Sequence, residues 1–299
     1  MKHFRPRLSR RAFWVLCALL VCLRLALTGF QQAYIWVGGA PLDDELMFRA
    51  ANHITAGQWL GAYDYLTLSK AMFFPVWLAL LHALHLPYLI SGAALWCGAA
   101  LLAAFAFSTL WRKKDSAQGR VLTLGLFAAL AFLPSSWAAY TLRIYRDNIF
   151  PALCLYFFAG MAGMALRAVF TPEKPLWPWL AAAGAGLACG YLDREDAGLF
   201  LLPFAAAATV IVAVVLAGKR RWKALAAQVI PYVMLGVGVL TFCTLNYTHY
   251  GVFALSDFSE GSFAAAMGAM MRVDTDSTAP YLSVPADARK KIYDAVPEL

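Results

Sequence analysis

Long apolar runs are the feature of this sequence that most restricts its fold. Residues 12–33 form the first run, directly after a basic N-terminus, and several later runs also reach the roughly 18–20 apolar residues that cross a bilayer as a helix. Charged residues make up 14% of the 299 residues, whereas they make up roughly a quarter of a soluble domain. These features predict an all-α polytopic membrane protein surrounded by membrane lipids.

The first apolar run could be a cleaved signal peptide or a retained helix. No small-residue cleavage site precedes Gln31, and further apolar runs follow, so we interpret it as a retained membrane anchor. The formal net charge of +8 fits basic loops on the cytoplasmic side of a membrane. Since no basic patch with interleaved aromatic residues lies in a soluble segment, we expect no nucleic-acid partner.

The apolar stretch at 71–111 allows two topologies. Pro75 and the HLPY sequence at 85–88 interrupt it, so it forms either a hairpin of two spans or an interfacial helix over 71–86 followed by one span at about 89–111. Lysine and arginine near span ends favour the cytoplasmic side. Only the interfacial helix places all the basic segments on one side, and these segments are the N-terminus, 112–120, 167–174 and 219–223.

We therefore predict about seven transmembrane helices with a cytoplasmic N-terminus. The predicted spans cover residues 12–33, 89–111, 121–140, 149–168, 177–193, 198–217 and 223–245. Residues 34–88 then form a long first outer loop with interfacial helices, and the transmembrane module covers residues 1–245. Residues 246–299 are expected to begin an outer domain that continues beyond Leu299.

Three features inside the predicted spans indicate which side chains face the protein interior. Ala182, Gly186 and Gly190 repeat every fourth residue, a spacing that lets helix backbones approach closely. The six cysteines lie in apolar runs without a C-x-x-C pair, and we expect them to be small buried side chains. Arg24 lies in the middle of the first span, where a charge usually faces the protein interior and finds a partner.

Charged residues cluster at three of the predicted outer loops. The clusters are Asp43, Asp44 and Glu45, then Arg143, Arg146 and Asp147, and finally Asp193, Arg194, Glu195 and Asp196. Helix capping or interfacial salt bridges would account for each cluster alone. Three clusters on one membrane face favour a functional site, because ionisable groups at that depth are costly unless they are paired.

Short motifs at these loops match the pattern of one family. An acidic pair at 44–45 opens the first outer loop, AGQW follows at 56–59, and Lys70 precedes an apolar helix. RDNIF at 146–150 and CGYLDREDAGLFLLP at 189–203 occupy the second and third outer loops. This arrangement resembles the GT-C superfamily of membrane glycosyltransferases, in particular the family of the lipid A aminoarabinose transferase and the protein O-mannosyltransferases.

The resemblance implies a GT-C-like fold and transfer of a sugar from a polyprenyl-phosphate carrier. In that family the first-loop aspartate is the general base on the acceptor, basic residues hold the donor phosphate, and a divalent metal ion sometimes assists. Carried over to this chain, the base is Asp44 with Asp43 as second choice, the phosphate ligands are Lys70, Arg194 and Arg146, and the residues that orient the acceptor or hold a metal are Asp147 and Glu45.

The chain departs from the family pattern at two positions. Met47 stands where the family often has an arginine, and Ser69 stands where a glutamate frequently precedes the lysine. Both differences weaken the expectation of a bound metal ion.

The sequence therefore predicts an inverting glycosyltransferase of the bacterial cell envelope. It would lie in the inner (plasma) membrane and use a polyprenyl-phosphate-linked sugar. Its active site would face the outer side of that membrane. The alternative is a non-catalytic membrane protein that binds or transports a lipid-linked or anionic ligand through the same charged cavity. A third option is a structural or assembly subunit whose charges serve only to set the topology.

Overall fold

The fold is a bundle of α-helices. The computed structural model describes residues 8–39, 41–111, 116–257, 262–275 and 282–297. The helices are α1 Arg10–Gly29, α2 Pro41–Thr55, α3 Phe73–Ala83, α4 Tyr88–Phe107, α5 Ser116–Ala131, α6 Phe150–Phe170, α7 Trp177–Asp193, α8 Ala197–Gly218, α9 Trp222–Ala227, α10 Ile230–Tyr250, α11 Ser262–Met270 and α12 Ala286–Ala295. Two sets of basic residues lie outside the described residues. They are those before Leu8, which are predicted to keep the N-terminus in the cytoplasm, and those at 112–114.

Five of these helical segments are long and apolar enough to cross a membrane. They are Arg10–Gly29, Tyr88–Trp111, Arg146–Phe170, Ala197–Gly218 and Trp222–Tyr250. The prediction of a helical membrane protein is thereby confirmed. The two other predicted spans correspond to α5, with 16 residues, and α7, with 17 residues, so the number seven stays a prediction.

The predicted span at 121–140 ends earlier as a helix than the sequence suggested. α5 stops at Ala131, and short 3-10 turns follow at Pro134–Trp137 and Ala139–Leu142. Proline disfavours helical geometry at the residue before it, which accounts for the early end. The turn at Pro134–Trp137 receives Arg24 of α1, whose Nη2 donates to the Ser136 carbonyl at 2.7 Å. The partners of Arg24 are therefore this carbonyl, the Thr28 hydroxyl at 3.1 Å and the Trp137 ring, whose centroid lies 3.5 Å away.

α3 lies in the stretch whose topology the sequence left open. It has 11 residues, which give a length of about 16 Å, about half of the roughly 30 Å hydrocarbon core. By itself, α3 is therefore too short to cross that core as a helix. α3 buries Phe74 and Leu81 and packs mainly against α2. Its position at the membrane interface stays a prediction.

The long helices run alternately between two ends of the bundle. Helices α4 and α6 both begin at the same end of the bundle. There the Tyr88 hydroxyl donates to the Arg143 carbonyl at 2.9 Å. α7 ends and α8 begins near the start of α6, because Arg194 and Asp147 form a salt bridge there. α10 runs past the predicted boundary at residue 245 and ends at Tyr250, followed by Gly251 at φ 71°, a left-handed conformation that favours glycine.

Close contact between α6 and α7 forms the centre of the bundle. A Cβ atom on Gly186 would lie 2.5 Å from the Leu153 carbonyl oxygen and 2.6 Å from the Phe157 nitrogen. On the facing helix, a Cβ on Gly160 would lie 2.6 Å from the Ala183 nitrogen. These distances match the close backbone approach that the small-residue spacing predicts.

Replacing Gly186 with alanine should therefore destabilise the bundle. Overpacking of this kind costs about 1–3 kcal/mol, and we expect a lower thermal unfolding midpoint in detergent for Gly186→Ala. Gly236→Ala is the matched control, because a Cβ on Gly236 meets no atom within 4 Å. Equal midpoints for the two variants would contradict the packing of α6 on α7.

Candidate functional site

Charged side chains from four segments meet at one end of the bundle. We call this group the charged cluster, and its members are Asp43, Asp44, Lys70, Arg143, Arg146, Asp147, Arg194, Glu195 and Asp196. They come from the first turn of α2, the loop before α3, the turn before α6 and the turn between α7 and α8. Segments far apart in the sequence thus contribute to one site.

Asp44 is the most deeply held acid of the charged cluster. Its side chain is 1% exposed, and Arg143 donates to it through Nε at 2.9 Å and also through Nη2. The Trp36 backbone N–H donates to the other carboxylate oxygen at 2.6 Å. The Arg143 guanidinium also stacks 4.2 Å from the Tyr145 ring centroid. Asp44 therefore anchors α2 to the turn before α6.

Asp43 has a more open environment than its neighbour. Its side chain is 34% exposed and lies 3.6 Å from the Lys70 ammonium. The Tyr145 hydroxyl donates to it at 3.3 Å. Burial raises the pKa of Tyr145 to about 12, so this hydroxyl keeps its proton at neutral pH. The Asp43 carboxylate is thus positioned by two donors and remains open to solvent.

Glu195 links the loop before α3 to the turn before α6. It accepts from both terminal nitrogens of Arg146, with Nη2 at 3.2 Å, and lies 3.5 Å from the Lys70 ammonium. Burial alone would raise the pKa of Glu195, but the hydrogen bond and charge of Arg146 outweigh it and lower that pKa. Glu195 is therefore an ionised carboxylate at neutral pH.

Arg194 joins the remaining two acids of the charged cluster. Its Nη1 donates to Asp147 at 2.8 Å, and its Nε donates to Asp196 at 2.8 Å. The hydrogen bond from Arg194 lowers the pKa of Asp196. This arginine thereby ties the start of α8 to the start of α6.

Two cavities adjoin the Arg194–Asp147 ion pair. The first, which we call the apolar pocket, spans about 430 Å³ when the solvent at its mouth is counted. Its lining includes Met72, Leu192 and Phe242 together with the polar residues Tyr191, Arg194, Glu195 and Ser256. The second, which we call the polar cavity after its polar members, is lined by Asp147, Arg24, Gln31, Ser135, Ser136 and Asn148 and also by apolar residues such as Leu89, Trp96 and Pro151. The Asn148 Oδ1 atom is buried there without a hydrogen-bond partner among the described residues.

Six of the seven predicted site residues lie in the charged cluster. The exception is Glu45, whose exposed side chain forms no hydrogen bond or salt bridge with a described residue. Sequence reasoning did not assign a site role to Arg143, Tyr145 or Glu195, although the first and last belong to the charged motifs it singled out. The chemical role of each predicted residue stays a prediction.

Asp193 is a further acid directly behind the charged cluster. Its side chain is fully buried, and neither carboxylate oxygen has a hydrogen-bond partner among the described residues. Its backbone carbonyl accepts from Arg146 at 3.4 Å. Burying a polar group without hydrogen bonds is costly. Like Arg143, Tyr145 and Glu195, Asp193 received no site role from the sequence.

The side chains of the charged cluster do not form an obvious metal site. Among the described residues, no three histidine, cysteine, aspartate or glutamate side chains converge to hold one. The carboxylates of the charged cluster instead face arginine and lysine. The divalent metal that the resemblance implies stays a prediction.

Comparison with known proteins gives no match to a protein family, a curated protein or a solved structure. The resemblance to the GT-C superfamily therefore depends on the short sequence motifs, and the activity it implies is a proposal.

Replacing Asp44 should destabilise the protein, whereas replacing Asp43 should not. Breaking a buried ion pair from one side costs about 3–5 kcal/mol, because Arg143 would stay buried without its partner in Asp44→Asn. Asp43→Asn removes a one-third-exposed carboxylate and serves as the matched control. Unfolding midpoints in detergent distinguish them, and equal midpoints would contradict the anchoring role of Asp44.

Proposed function

We propose that this chain is a membrane glycosyltransferase that moves a sugar from a polyprenyl-phosphate donor to an acceptor. The observation that carries the proposal is the convergence of Asp43, Lys70, Arg194 and Glu195 beside the apolar pocket at the ends of apolar helices. Ends of membrane helices lie at the headgroup level, where a lipid phosphate also lies. We place this end on the outer face of a bacterial plasma membrane.

The donor would bind with its lipid in the apolar pocket and its phosphate at Lys70. The Lys70 ammonium lies 3.6 Å from Asp43 and 3.5 Å from Glu195, longer than the roughly 2.7–2.9 Å of strong charge-assisted hydrogen bonds. It can therefore turn toward a phosphate at little cost. Arg194 lines the same pocket and adds positive charge. Cations placed at a departing phosphate stabilise the charge that develops there.

We assign the general base to Asp43 and not to Asp44. Asp44 is buried and its oxygens are occupied by Arg143 and Trp36, so an acceptor cannot reach it. Asp43 is open to solvent and adjacent to Lys70. A positioned base of this kind contributes about 10²–10⁴-fold to the rate.

The reaction would be a direct displacement with inversion. The acceptor nucleophile attacks the anomeric carbon of the sugar, and its proton passes to Asp43. The bond between that carbon and the phosphate oxygen breaks, and its electron pair leaves on the lipid phosphate beside Lys70. Arg146 is 4% exposed and is occupied by Glu195 and Tyr145, so we assign it the positioning of Glu195 instead of phosphate binding.

The acceptor would approach through the polar cavity. Asp147 borders that cavity, and its walls carry hydroxyl and amide groups from Gln31, Ser135 and Ser136. These contacts support the predicted role of Asp147 in orienting the acceptor.

The alternative function is binding or transport of a lipid-linked ligand without catalysis. One observation favours it. Lys70, Arg143, Arg146 and Arg194 are each already paired with a carboxylate. A phosphate would therefore have to displace a carboxylate, which weakens the donor site that catalysis needs. Ligand binding without Asp43-dependent turnover is the result this alternative predicts.

Sugar transfer by the full chain distinguishes the two functions. Membrane vesicles carrying the protein would be supplied with a panel of radiolabelled polyprenyl-phosphate hexoses, and transfer to other membrane components would be counted. We expect Asp43→Asn to lower the rate by about 100-fold or more. Glu45→Gln, two positions along the same helix and exposed, should keep the wild-type rate. A wild-type rate in Asp43→Asn would contradict the proposal, and donor binding without any transfer would favour the alternative.

A further inference from the structure

The end of the bundle opposite the charged cluster contains a basic pocket. It spans about 1060 Å³ when the solvent at its mouth is counted, and its lining includes Arg10, Arg120, Arg167, Lys174, Trp14 and Phe105. We call this concavity the basic pocket. α6 connects the two ends with 21 residues, so they lie about 31 Å apart. The basic pocket is therefore a separate site.

The cations of the basic pocket lack carboxylate partners within the part of the chain that the structure describes. Arg10, Arg167 and Lys174 form no side-chain hydrogen bond or salt bridge with any described residue, and Arg120 uses its Nε on the Leu8 carbonyl at 2.7 Å. No aspartate or glutamate is among the described residues that line the pocket. At the charged cluster, by contrast, every arginine and lysine has a carboxylate partner. Like charges gathered around one concavity repel one another, and an anion relieves that repulsion.

The hydroxyl groups of the pocket are already used within their own helices. Ser108 donates to the Phe105 carbonyl at 2.7 Å, and Thr123 donates to the Gly119 carbonyl at 2.9 Å. The side-chain donors left for a ligand are the guanidinium and ammonium groups and the indole N–H of Trp14. The pocket therefore recognises negative charge and does not select a particular polar headgroup.

An apolar wall adjoins these cations. The rings of Trp14 and Phe105 lie 5.5 Å apart between their centroids, and Trp14 is 48% exposed. The pocket lies at the ends of α1, α4 and α6, where long apolar helices leave the hydrocarbon core. Tryptophan is enriched at this depth of a membrane. A phospholipid can use both the cations and the apolar wall, whereas a free phosphate can use only the cations.

We infer that the basic pocket binds the phosphate headgroup of an anionic phospholipid. Basic pockets between helices on the cytoplasmic side hold such headgroups in membrane proteins. Arg10, Arg120, Arg167 and Lys174 contact the phosphate, and Trp14 and Phe105 pack against the acyl chains. The bound lipid holds the ends of α1, α4 and α6 together.

Native mass spectrometry of the full chain in detergent tests the inference. The probes are phosphatidylglycerol and phosphatidylcholine with identical acyl chains, and the readout is the dissociation constant of the first bound lipid. The wild type should retain phosphatidylglycerol at least about tenfold more tightly. Arg120→Gln and Arg10→Gln should each lower that affinity about fivefold, the equivalent of roughly 1 kcal/mol for one basic side chain.

A neighbouring cation outside the pocket provides the control. Arg11→Gln changes the exposed residue next to Arg10 that does not line the pocket, and it should leave the affinity unchanged. Arg10→Gln removes no hydrogen bond to a described residue, so it remains informative if Arg120→Gln fails to fold.

Three results would overturn the inference. One is equal affinity of the wild type for the two lipids, and another is an equal loss in Arg11→Gln and Arg10→Gln, which would mean diffuse surface charge. The third is displacement of phosphatidylglycerol by millimolar inorganic phosphate with the same dependence on Arg120, which would make the ligand a soluble anion.

Discussion

The buried ion pair between Asp44 and Arg143 is the interaction on which the charged end of this structure depends. Removing two charges from water is expensive, and the cost is offset only when the geometry is good and the remaining lone pairs are used. Arg143 donates twice and the Trp36 N–H donates once, so this condition is met at Asp44. The pair fixes the first turn of α2 against the turn before α6. Asp43 then faces Lys70 and Tyr145.

The two ends of the bundle differ in whether their arginine and lysine side chains are paired with carboxylates. At the charged cluster, acids from separate turns pair with arginine and lysine, so each segment that contributes a charge is held by another. At the opposite end, Arg10, Arg167 and Lys174 have no carboxylate partner among the described residues, and Arg167 lies 4.9 Å from the Trp179 ring centroid. This asymmetry matches the preference of lysine and arginine for the cytoplasmic side. The chemistry we propose at one end and the lipid site at the other follow from the same distribution.

Much of this arrangement could be predicted from the sequence, and the reasons are physical. Apolar runs define the long helices, and the bias of basic residues places Asp43, Lys70, Asp147 and Arg194 at one end. That Asp44 and not Asp43 is the buried acid could not be predicted, because it depends on which side chain meets Arg143, almost a hundred residues away. The link through Glu195 was missed for the same reason. The early end of α5 was predictable, since Pro134 is visible in the sequence.

A double-mutant cycle on Asp44 and Arg143 tests most directly whether this ion pair organises the site. The free energy of unfolding would be measured for Asp44→Asn, Arg143→Gln and the double variant in the full chain. We predict that the double variant is no less stable than either single variant, with a coupling energy of about 3 kcal/mol. Simple additivity of the two losses would contradict the account, because the side chains would then contribute independently.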